Sequence, residues 1–132
     1  MLIELVGVLD TGGPLSAGVP INPRVTLTVP KGTSLTLRVT VVDRAGAVVL
    51  LPINSLLWTL KKTPRDTDKV FAKTGPAAAA ASCDFSMAPA DTKNADPGRY
   101  GYDVWFTDAF GARNSVIPLS PFELEFAAAN IP

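Results

Sequence analysis

The sequence predicts an all-β fold: an antiparallel β-sandwich of seven or eight short strands behind an extended N-terminal arm. Three observations lead there. Apolar and polar residues alternate with a period of two through most of the 132 residues, as in strands that lay one face on a core. Asp-x-x-Gly turns and Gly/Pro breaks recur every roughly 8–12 residues, the spacing of a sandwich or a small barrel. No apolar run has the length and period of a helix.

The first 24 residues stand apart in composition. An apolar patch, Leu2-Ile3-Glu4-Leu5-Val6, leads into a stretch holding Gly7, Gly12, Gly13, Pro14, Gly18, Pro20 and Pro23. This reads as an arm or linker over 1–24 with a sticky end, and Leu2, Ile3, Leu5 and Val6 become candidates for contact with a partner. An extra edge strand on the chain's own domain is the alternative. The sandwich is assigned to 25–126 and a C-terminal tail to 127–132.

From Val25 the alternation begins. Val25, Leu27 and Val29 alternate with threonines, and Pro30 and Gly32 then interrupt. Leu35, Leu37, Val39 and Val41 form the next apolar face. Asp43-Arg44-Ala45-Gly46 is a type I turn that closes a hairpin on a left-handed Gly, and Ala47 to Leu51 reads as the returning strand, stopped by Pro52. Leu56, Trp58 and Leu60 share one face of a strand, with Trp58 in core register. Val70 to Lys73 is a short strand after a polar loop. Five alanines, Ala77 to Ala81, are too few for a stable helix, so strand is expected from about Ala80 through Cys83, Phe85 and Met87. Residues 90–97 hold at most a helical turn. Tyr100, Tyr102, Val104 and Phe106 then alternate with Gly101, Asp103, Trp105 and Thr107. Asp108-Ala109-Phe110-Gly111 repeats the turn, and Val116-Ile117 and Phe122, Leu124, Phe126 continue as strands. The ensemble is immunoglobulin-like, with a small barrel as the alternative.

Twelve Lys and Arg balance twelve Asp and Glu, and there is no His. Nucleic acid is not an expected partner, because that binding is mostly phosphate neutralisation. No apolar run approaches a membrane span, and the N-terminus lacks the basic region of a signal peptide. Without His, neither Ser-His-Asp nor Cys-His catalysis can be assembled. A carboxylate pair would draw on Asp84, Asp91, Asp96, Asp103 or Asp108, which sit in turns or beside loops. Asp91, Asn94 and Asp96 are candidate oxygen ligands for calcium, but without an EF-hand spacing a solvated loop is expected. No enzyme activity, cofactor or metal is expected, and Cys83 reads as a small buried hydrophobe.

Two surface features remain. Lys61, Lys62, Arg65, Lys69 and Lys73 gather five of the twelve cations, either against an acidic partner or as a solvated strand edge; Lys61, Lys62 and Arg65 are the contact candidates. Trp105 falls out of register with Tyr102, Val104 and Phe106, which turns it outward as an interface anchor or a sugar-stacking platform. Tyr100 and Phe110 join it as aromatic contact candidates.

Gly32-Thr33-Ser34 leading into an alternating strand, the Asp43 to Gly46 turn, Leu57-Trp58-Thr59-Leu60, Pro97 to Phe106 and Phe122 to Glu125 together form a pattern. It resembles the β-sandwich domains of tailed-bacteriophage virion proteins, in particular the N-terminal domain of baseplate upper proteins and stand-alone capsid or tail accessory relatives, over about residues 25–126. Unlike baseplate upper proteins, the sequence does not continue into a long stalk, and it adds the Gly/Pro stretch at the front. The resemblance implies a non-enzymatic structural protein of the virion. It would attach to the capsid as a decoration or cement protein, or to the tail or baseplate as an accessory. The implied partners are major capsid or tail subunits, with the chain homo-oligomeric or lattice-bound. The alternative is a carbohydrate- or host-surface-binding module working through Trp105, Tyr100 or Phe110.

Overall fold

Alternation translates into eight strands among the described residues, which in this computed structural model are 1–9, 24–63 and 69–126. The strands are β1 (Leu2–Leu9), β2 (Leu27–Pro30), β3 (Leu35–Asp43), β4 (Leu56–Lys61), β5 (Phe71–Gly75), β6 (Cys83–Met87), β7 (Gly98–Thr107) and β8 (Arg113–Glu125). A 3-10 turn at Pro89–Thr92 precedes β7. A three-stranded sheet, in the order β1-β3-β6, packs on a five-stranded one, β2-β8-β7-β4-β5.

The core lies between the sheets, filled by the inward positions that the alternation singles out. Leu35, Leu37, Val39 and Val41 of β3 face Leu56, Trp58 and Leu60 of β4 and Tyr102, Val104 and Phe106 of β7 in one buried cluster. Trp58 is its largest member, edge-on to Phe71 at 4.7 Å between centroids. Tyr102 carries a hydroxyl inward and donates it to the Val25 carbonyl. Desolvation pushes the pKa of that phenol up to about 12.

Three expectations need correction. The sheets are mixed, not antiparallel throughout, because β1 runs parallel to β3 and β2 runs parallel to β8. Parallel neighbours cannot be joined by a hairpin, and neither of these pairs is adjacent in sequence. Secondly, the expected boundary at residue 24 does not set Leu2–Leu9 apart from the sandwich. This segment is β1, in register with β3 from Leu2↔Thr36 to Leu9↔Asp43. Ile3 and Leu5 pack on the core, and Gly7 brings β1 so close to β8 that a Cβ there would stand 3.0 Å from the Val116 carbonyl oxygen. The Gly/Pro stretch after it and the 127–132 tail lie outside the described residues. Thirdly, Ala47 to Leu51 is not a full strand. It holds isolated bridges, Val42↔Val48 and Leu51↔Ala80, as the chain crosses from β3 towards β4. Ala80 likewise only bridges, and β6 begins at Cys83.

Candidate functional site

Two turns with one construction stand out. In Asp108 to Gly111, the Asp108 carboxylate accepts the N–H groups of Phe110 at 2.8 Å and Ala112 at 2.9 Å. In Asp43 to Gly46, the Asp43 carboxylate accepts those of Ala45 at 2.9 Å and Ala47 at 3.0 Å. Gly46 and Gly111 both take the positive φ that the sequence reserved for glycine, at 87° and 82°. Such turns are ordered before any partner arrives.

Both turns lie at one end of the sandwich. β3 finishes at Asp43, β4 starts at Leu56, and Leu56 pairs with Phe106 just before the Asp108 turn. The Thr107 N–H also donates to the Ser55 carbonyl at 2.8 Å, which sets the 52–55 turn beside the Asp108 turn. Phe110 is 97% exposed at that end. Val48, Leu50 and Ile53, on the link from β3 to β4, are 56%, 67% and 60% exposed. For the first two the reason is local: Val49 packs on the core and Leu51 is buried, which turns Val48 and Leu50 outward. Each large apolar side chain moved from water into a partner is worth about 1.5–3 kcal/mol.

The other candidates separate. Leu2 and Val6 are exposed, Ile3 is half-buried and Leu5 is buried in the core. Trp105 lies outward on the five-stranded sheet, 37% exposed, between Leu57 of β4 and Ser115 of β8. Tyr100 is buried rather than exposed: its hydroxyl donates to the Asp96 carbonyl at 2.6 Å and the Lys62 ammonium sits 4.5 Å above its ring. Lys61 is half-buried at the end of β4, and Arg65 falls outside the described residues.

Among the carboxylates, Asp91 is engaged by the Lys73 ammonium at 3.0 Å and the Ala88 N–H at 2.8 Å. Asp84 belongs to a ladder across the outer face of the small sheet. Arg38 donates to both of its oxygens, at 2.8 and 3.1 Å, and reaches Glu4 at 3.3 Å. No group of three or more potential metal ligands occurs among the described residues. Sequence reasoning missed Val48, Leu50 and Ile53 as a surface. The signal was there: Val48 to Leu51 is an unbroken apolar run rather than an alternating one.

No protein family matches the chain, and no curated protein does. Among solved structures, reduced rusticyanin is similar with a TM-score of 0.43 and 13% identity, over 94% of this chain and 79% of that one. The N-terminal domain of phage TP901-1 ORF48 is similar with a TM-score of 0.37 and 14% identity, over 95% of this chain and 99% of that one. Rusticyanin is a copper protein.

Proposed function

We propose that this chain is a non-enzymatic structural domain of a tailed-phage particle. It attaches to the capsid as a decoration protein, or to the tail or baseplate as an accessory. The observation that carries the reading is the apolar end, where Phe110, Val48, Leu50 and Ile53 are exposed beside turns held by Asp108 and Asp43. A rigid turn presenting an aromatic anchor loses little entropy on docking, which is what hot-spot contacts need. The resemblance of Gly32 to Leu60 and Pro97 to Glu125 to phage virion sandwiches supports the setting.

The test uses particles of the encoding phage assembled without this chain. Wild-type protein added back co-sediments with them, whereas a folded Phe110→Ser/Ile53→Ser variant does not. Equal attachment of that variant, or no attachment of the wild type, overturns the reading. One observation favours a second reading, a glycan-binding module: Trp105 is partly exposed on an open sheet face beside Asp103 and Ser115. Wild-type binding on a glycan array that Trp105→Ala abolishes would establish it in place of the first.

A further inference from the structure

The end of the sandwich opposite Phe110 carries a groove of different chemistry. Arg99 lies eight steps before Thr107 on β7, roughly 26 Å away at about 3.3 Å per residue. There β7, β8, the residues that lead into β2 and those that follow β4 border an open cavity of about 540 Å³. Arg24, Lys62 and Arg99 stand on its rim, and Leu119, Pro121 and the backbone of Gly101 make its floor. A second cavity of about 660 Å³ shares Lys62 and Tyr100 with it and is lined further by Lys69, Asp91 and Asp96.

Several details give this groove a definite character. No carboxylate lines the first cavity among the described residues, although the chain as a whole is neutral. The Lys62 ammonium is steadied over the Tyr100 ring, which is itself tied to Asp96. Arg99 reaches Glu123 only at 4.0 Å, so its guanidinium has donors to spare. Gly101 leaves a notch into which the Leu119 side chain leans: a Cβ there would stand 2.9 Å from Leu119 Cδ1. Leu119 is 41% exposed, an apolar surface set between cations.

The geometry points to a docking groove for an extended acidic peptide segment of another protein, one that alternates carboxylates with apolar side chains. Three cations on the rim supply charge complementarity, and arginine takes carboxylates with two parallel hydrogen bonds. The apolar floor decides between anions. A uronate or phosphate polymer presents hydroxyls and charge, and Leu119 and Pro121 satisfy neither. The Ser120 hydroxyl on this wall is already donated to the Pro118 carbonyl at 2.7 Å and is buried. A peptide of period two would put carboxylates on the rim and apolar groups on the floor. This site is separate from the apolar end, and it stands or falls independently of the virion reading.

The test titrates the full ¹⁵N-labelled chain with a capped peptide of four Glu-Leu repeats. A Gln-Leu peptide of equal length, polygalacturonate and inorganic phosphate are compared. The expected result is shifts confined to Arg24, Lys62, Arg99, Gly101 and Leu119 with the Glu-Leu peptide, weakened by salt, and none with the Gln-Leu peptide. Lys62→Glu/Arg99→Glu lowers the affinity at least tenfold, Leu119→Ser lowers it with the cations intact, and Arg113→Glu at the far end leaves it unchanged. All these positions are exposed, and amide spectra report that each variant remains folded. No binding of the Glu-Leu peptide, equal binding of polygalacturonate or phosphate, shifts elsewhere, or indifference to either groove variant would overturn the proposal.

Discussion

The Asp108 carboxylate accepts the backbone N–H of Phe110 at 2.8 Å, so the residue that makes the turn rigid is two positions from the ring that the turn displays. Stability and exposure are thereby divided between neighbours. Asp108→Ala forfeits two N–H acceptor contacts and is expected to cost about 1–2 kcal/mol in urea unfolding. Phe110→Ala, which removes a ring that packs on almost nothing, is expected to change stability by less than about 0.5 kcal/mol. A large loss for Phe110→Ala would mean that the ring has an intramolecular partner.

Strand β1 is expected to be essential to the fold. Gly7→Val puts a branched side chain where the Val116 side chain and carbonyl stand at 3.0 Å from even a Cβ. Backbone on one side cannot yield as a side-chain tip does, so a loss of about 1–3 kcal/mol is expected in chemical denaturation. Leu5→Ala should cost about 2–4 kcal/mol as a core truncation. An unchanged midpoint for both variants would return residues 1–9 to the status of a dispensable arm.

The Arg38–Asp84 pair sets an acid limit. Arg38 holds the Asp84 carboxyl below its ordinary value of 3.8, first by hydrogen bonding and then, against partial desolvation, by charge. A depressed folded value means that the stabilisation is fully present above the unfolded value and is lost as pH falls through the folded one. Urea midpoints measured from about pH 5 to about pH 2 should therefore fall, and Asp84→Asn should flatten part of that fall. Both partners are substantially exposed, so the effect is small and fades in high salt.

Cys83 is buried against the large sheet, and desolvation, with the Asp84 charge second, pushes its thiol up to about 11. The thiolate is the reactive species, so a disulfide reagent near neutral pH should label the native chain only as fast as it opens. Labelling of native protein as fast as of urea-unfolded protein would contradict the burial.

The all-β class was legible because β3 and β7 alternate buried with outward positions and Trp58 falls in register with Leu56 and Leu60. Both Asp-x-x-Gly turns were legible for the same reason, since a side-chain acceptor and a left-handed glycine are local requirements. Strand direction was not legible. Nothing within Leu2–Leu9 or Leu27–Pro30 states that each will lie parallel to a distant strand, because alternation gives a face and no direction. The bulged register where Tyr102, Val104 and Trp105 meet β8 was equally hidden, as was the merging of two apolar runs into one strand through Pro118 and Pro121. Of the contact candidates, the outward direction of Trp105 was legible from its register, and Phe110 stands exposed in the turn that the sequence marks. Tyr100 was misjudged although its register with Tyr102, Val104 and Phe106 points inward; the Asp96 carbonyl four residues earlier holds its hydroxyl, and only Lys62, which lies over its ring, comes from a distant part of the chain.

The most direct test of the central claim is quantitative mass spectrometry of density-purified particles of the encoding phage. This chain is expected in a constant, stoichiometric ratio to a capsid or tail subunit. Its absence from particles in which those subunits are measured, with the chain abundant in the infected-cell lysate, would contradict the account.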